Sequence, residues 1–147
     1  MFKHILIPTD GSELSRAAAL QGVKLAKALG ARVTAYFAAP PATPVIYDGL
    51  LPTGYATTTE HAAMIEKTAA KYLGVIEKAC AAAGVKCESV HETNEYPADA
   101  IIALAKKRKC DLVFMASHGR RGLTGVLLGS QTQKVLTNSK IPVLVYR

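Results

Sequence analysis

Two short stretches carry residue types that can grip an anion: "PTDGS", Pro8 to Ser12, and "SHGRRGLTGVLLGS", Ser117 to Ser130. The second holds four glycines, Gly119, Gly122, Gly125 and Gly129, and two arginines. A plain connection in an α/β unit needs about 2–6 residues; this one is longer, flexible and positively charged. Glycine allows close backbone approach and positive φ, and N–H groups at a helix start bind phosphate. Gly129-Ser130 has that arrangement, the Ser130 hydroxyl adds a donor, and Arg120 and Arg121 supply mobile positive charge. Asp10 is the odd member, because a carboxylate repels phosphate. It suits ribose hydroxyls or a Mg²⁺ ion bridging to phosphates; a helix N-cap or turn role is the plain alternative, as a flexible loop is for the glycines.

Other chemistries lack their residues. There is no G-x-x-x-x-G-K-[ST] and no G-x-G-x-x-G after the first apolar run. The third ends "HETNE", without the aspartate a phosphorylated receiver would need. His118 could act as a base, but no carboxylate can be assigned to hold it. His4, His61 and His91 show no metal-ligand spacing, and Ser12 and Ser15 form no nucleophile motif. Cys80, Cys87 and Cys110 are odd in number without a CxxC, and read as small buried hydrophobes. No catalytic residue and no metal site is assigned.

The loops need elements to hold them. Five strand-like runs stand out: "KHILIPT" from Lys3, "RVTAYFAA" from Arg32, "KCESVHET" from Lys86, "DLVFMAS" from Asp111 and "IPVLVY" from Ile141. Helical patterns lie between them. The first spans Ser12 to Leu29, with Ser12 as N-cap, Gly30 as stop and Ala19, Val23 and Ala26 inward. The second follows "ATTTEH", where Thr57 and Glu60 have capping-box spacing; its stripe is Ile65, Ala69, Tyr72, Leu73, Ile76 and Cys80. The third begins near Pro97 with Ala98, Ile101, Ile102 and Ala105 inward. The fourth spans Ser130 to Asn138, with Val135 and Leu136 as its apolar pair. Such alternation predicts an α/β fold: an open five-stranded parallel sheet with helices on both faces, Rossmann-like. Residues 1–147 read as one domain. Ligands in such sheets bind beyond the carboxyl ends of the strands, where both polar stretches fall. The last run, placed at a sheet edge, can pair with a second copy, which predicts a homodimer. The segment Pro40–Thr59 is long for a connection and is a candidate lid or a surface loop.

Half the residues are hydrophobic and the net charge is +7, which favours anionic partners. The densest cluster, Lys106 to Lys109, ends a helix and complements its dipole. It has no interleaved aromatics, so nucleic acid is not expected. No run approaches the ~20 apolar residues of a membrane span, and "MFKHILIPTD" lacks signal-peptide features; a soluble cytoplasmic protein is expected.

The chain resembles the universal stress protein family over essentially its full length. "HILIPTDGSELS" is similar to that family's first strand and turn, and "CDLVFMASHGRRGLTGVLLGSQTQKVLTNSKIPVLVYR" to its C-terminal signature. The nucleotide-binding branch carries G-x-x-G, nine residues, then G-[S/T]. Here Gly119, nine intervening residues and Gly129-Ser130 match, while Ala116 replaces the first glycine and adds a methyl group. The resemblance implies an adenine nucleotide alpha-hydrolase-like fold and an ATP-binding, homodimeric stress-response or signalling module with weak or no turnover, its ATP with or without Mg²⁺. A nucleotide-independent interaction scaffold and a slow ATPase are the alternatives. It implies that Pro8, Thr9 and Asp10 line the adenosine and that Phe37 meets the adenine through its backbone. Met115 and Ala116 flank the nucleoside, and Gly119, Gly129, Ser130, Gln131 and Thr132 hold the phosphates, with Arg120 and Gly122 in the same loop.

Overall fold

In the computed structural model, residues 1–41, 58–120, 122, 125 and 127–147 are described. The elements follow in the order β1 (His4–Pro8), α1 (Glu13–Leu29), β2 (Arg32–Ala39), α2 (Thr58–Ala83), β3 (Cys87–Thr93), α3 (Pro97–Lys107), β4 (Leu112–Ala116), α4 (Ser130–Asn138) and β5 (Val143–Tyr146). The five strands form one parallel sheet in the order β3-β2-β1-β4-β5. The expected α/β architecture is thus present, and β5 lies at an edge. Thr57 and most of the candidate lid lie outside the described residues.

The period-2 alternation of strands divides the core. Ile5, Ile7, Val33, Ala35, Phe37, Leu112, Phe114 and Ala116 join the α1 and α2 side chains on one face. Leu6, Tyr36, Val113 and Met115 join α3 and α4 on the other. Strands β1 and β4 are buried nearly throughout, as their continuous apolar runs require. Helix α1 starts at Ser12, whose hydroxyl accepts the Ser15 N–H, and stops at Gly30, where φ is 63°. Gly22 lets α1 settle close on the sheet: a Cβ there would stand 2.8 Å from Ile7 Cδ1. In α4 the expected apolar pair is half right. Val135 is fully buried, but Leu136 is 40% exposed, because a one-residue step turns a helical side chain about 100° from its neighbour.

At the amino end of the sheet, one polar chain crosses three strands. The Thr34 hydroxyl donates to Glu88 Oε1 at 3.0 Å. It therefore accepts from His4 Nε2–H, 2.7 Å away. Glu88 Oε2 in turn receives Arg108 Nη1 at 3.3 Å. His4 is buried, and its Nδ1 has no hydrogen-bond partner among the described residues. Burial, then the nearby Arg32 charge, hold its pKa below the ordinary value against the opposing pull of Glu88 and Asp111. A neutral imidazole in the folded state and an ordinary one when unfolded give a defined sign. The stabilisation is full above about pH 6.5 and is lost as pH falls through the lower folded value. Denaturant midpoints should therefore drop between about pH 7 and pH 5, and His4→Gln, which keeps the donor to Thr34, should flatten that slope. An unchanged slope would place the titrating group elsewhere.

Candidate functional site

The strand order reverses between β1 and β4, and the loops leaving these two strands face each other across a cleft of about 460 Å³. Of the thirteen residues singled out from the sequence, twelve line it: Pro8, Thr9, Asp10, Met115, Ala116, Gly119, Arg120, Gly122, Gly129, Ser130, Gln131 and Thr132. Phe37 does not. Its ring lies on the opposite face of the sheet, edge-on to Tyr72 with centroids 5.2 Å apart. Strand alternation gives the cleft its neighbours Tyr36 and Ala38 instead.

The loop after β1 is ordered by its own hydroxyls. Thr9 N–H donates to Tyr36 O at 2.8 Å, continuing the β1–β2 ladder. Thr9 Oγ1 accepts the Gly11 N–H and lies 3.1 Å from Ser15 Oγ, which donates to Ser12 O. Gly11 takes φ 75°, and a side chain there would run into the Tyr72 ring.

Asp10 joins this loop to the one after β4. Its Oδ1 accepts the Ser12 N–H at 2.9 Å and its Oδ2 the Arg120 N–H at 2.9 Å. The turn role is thus present, and the second oxygen bridges to the β4–α4 connection. Burial works to raise its pKa, but hydrogen bonds from Ser12, the Arg120 backbone and Ser15 outweigh it and leave the group below its ordinary value. Gly119 is what permits the contact, since a Cβ there would collide with Asp10 Oδ2. The Arg120 side chain turns the same way: Nε donates to Asp10 O at 3.0 Å and Nη2 to the Tyr72 hydroxyl.

The glycines farther along also serve packing. Gly122 N–H closes a turn on Gly119 O at 3.1 Å. A Cβ on Gly122 would strike the His118 ring, and one on Gly129 would stand 3.0 Å from His118 Cα. Gly129 N–H donates to Ser117 O at 2.6 Å, so it is engaged within the protein. The next three N–H groups, of Ser130, Gln131 and Thr132, belong to the first turn of α4 and have no intrahelical acceptor. All three residues line the cleft. The Thr132 hydroxyl anchors the turn on Ala116 O at 2.8 Å, and Gln131 Oε1 accepts the Ala98 N–H at 3.1 Å. Gln131 therefore supplies the cap that Tyr96, at the N-cap of α3, does not.

The third wall was not visible in the sequence. Asn94, Glu95, Pro97 and Ile101, from the β3–α3 connection and α3, line the cleft with Ser15, His118 and the Pro40-Pro41 pair. Topology alone brings β3's exit to the same end of the sheet, and no motif marks it. His118 Nδ1 lies 3.1 Å from Ser117 Oγ. The cleft offers a nucleotide an apolar region, Tyr36, Ala38, Ile101 and Met115, together with a bare helix N-terminus. To a metal ion Asp10 offers a carboxylate whose two oxygens already accept N–H groups, and no cluster of three metal-ligating residues occurs among the described residues. No helix among them is long and apolar enough to cross a membrane.

The family model described as Universal stress protein family matches residues 1–147. A universal stress protein of Thermus aquaticus is 33% identical over 147 residues, covering all of both chains. Universal stress protein MJ0531 of Methanocaldococcus jannaschii is 32% identical, covering the whole of this chain and 83% of its own. Among solved structures, MJ0577 of Methanocaldococcus jannaschii superposes with a TM-score of 0.75 at 25% identity, over 99% of this chain and 95% of its own. A universal stress protein solved in complex with cAMP gives 0.69 at 24% identity, over 99% and 97%. With the family model spanning the whole chain and relatives matching it end to end, the chain belongs to the universal stress protein family.

Proposed function

We propose that this chain is an adenine-nucleotide-binding module that takes ATP at the β1/β4 cleft and works as a homodimer through β5. One observation carries the nucleotide reading: the first turn of α4, with no side-chain cap, presents N–H groups lacking an intrahelical acceptor to a cleft whose other end is apolar. Proteins of this fold have been solved with cAMP and with dAMP, ligands of the same chemistry. Phosphates lie at Ser130, Gln131 and Thr132, and the base lies toward Met115 and Ile101, beside Ala38. Asp10 stands on the ribose side of the loop pair, and any Mg²⁺ accompanying ATP would take its ligands from the phosphates, since both Asp10 oxygens already accept N–H groups.

Protein purified without added nucleotide, then denatured and cleared, should release ATP identifiable by chromatography and mass. ADP or AMP would point to turnover. An empty supernatant together with no thermal shift on adding Mg-ATP would overturn the proposal in favour of a scaffold. Ser130→Asp gives a sharper test. A carboxylate at the exposed first position of α4 favours the helix dipole but repels phosphate. ATP affinity should fall at least about tenfold while Tm stays level or rises. Unchanged affinity would remove the phosphates from α4.

For the dimer, the support is an edge strand with an exposed apolar side chain: Leu144 on β5 is 38% exposed. Pro142 O and Tyr146 O accept N–H groups from Val113 and Ser117. By alternation the N–H of Val143 faces outward. Val143→Pro removes that outward donor and spares the β4–β5 ladder, so light scattering should report monomers. An unaltered dimer mass would move the interface elsewhere.

A further inference from the structure

The Arg120 side chain is exposed, yet two of its nitrogens are held by the protein. Its backbone N–H donates to Asp10 Oδ2, its Nε to Asp10 O and its Nη2 to the Tyr72 hydroxyl, with the guanidinium carbon 5.3 Å from the Tyr72 ring centroid. Tyr72 is itself set: its ring packs over Gly11 and edge-on against Phe37. One arginine thus ties the β4–α4 loop to the β1–α1 loop and to α2. Tyr72 is not among the cleft-lining residues.

We propose that Arg120 is a latch rather than a phosphate ligand: a positioning residue that fixes Gly119 and Arg120, at the exit of β4, against Asp10 and Tyr72 beside the cleft, and so sets how tightly a nucleotide is held. This rests on the nucleotide reading for its ligand, but the latch itself is a property of the free protein. Its fork geometry matters, because Nε and Nη2 meet different acceptors at a fixed planar spacing, where a lysine offers a single nitrogen.

Binding of adenosine, AMP, ADP and ATP is measured by calorimetry for wild type, Arg120→Ala, Arg120→Lys, Tyr72→Phe and the Arg120→Ala/Tyr72→Phe pair. Amide hydrogen exchange across Ser117–Gly122 is measured without ligand. A latch gives about the same tenfold loss for all four ligands in Arg120→Ala, the scale of one charge-assisted hydrogen bond. Arg120→Lys gives no rescue, Tyr72→Phe repeats part of the loss, and the double variant adds nothing to Arg120→Ala. The Arg120 and Gly122 amides exchange faster in Arg120→Ala and in Tyr72→Phe. A loss that grows with phosphate number and is rescued by lysine would make Arg120 a phosphate ligand and overturn the proposal. Unchanged exchange would overturn it too. Should wild type bind none of the four ligands, the nucleotide reading fails, and the exchange data still decide the latch.

Discussion

The Asp10 carboxylate is where two loops, 110 residues apart in the chain at Asp10 and Arg120, become one site. Each of its oxygens accepts a backbone N–H, one from either loop. Three conditions must hold together. The strands β1 and β4 must be neighbours, which the sheet order provides. The carboxyl must be ionised, which its donors ensure against the effect of burial. The residue before Arg120 must have no side chain, which Gly119 satisfies. Charge-assisted hydrogen bonds of this kind are about twice as strong as neutral ones, so the carboxylate fixes loop separation and hence the width of the cleft.

The elements were legible because their signals are local. β2 and α4 begin and end where their patterns do, and α1 is bounded by a serine cap and a left-handed glycine. The site was legible wherever a loop carried its own composition, as in the glycines after β4. It was illegible where a residue's part depends on which face of a strand it occupies. Phe37 and Tyr36 are adjacent aromatic residues at the end of β2, and only the register of the sheet sends Tyr36 to the cleft and Phe37 to Tyr72. Tyr72 reads as one more member of an apolar stripe. Its second role comes from Gly11 and Arg120, far off in sequence. Leu136 shows the same limit on a helix, since two adjacent leucine-like positions cannot both face inward.

The glycine signature itself changes meaning once the contacts are known. Spaced glycines near a helix start suggest room for phosphate. Yet Gly119 makes room for Asp10, Gly122 for the His118 ring and Gly129 for the His118 backbone, and the Gly129 N–H is bonded to Ser117. These glycines fold the loop against itself. The atoms left for an anion are the N–H groups that come after them, at Ser130, Gln131 and Thr132, where the loop has been forced to become a helix without a side-chain cap. The spacing therefore reports loop architecture directly and ligand binding only through it. A chain can keep the spacing for the sake of its fold; what suits a nucleotide is the uncapped first turn of α4 and the apolar wall opposite it.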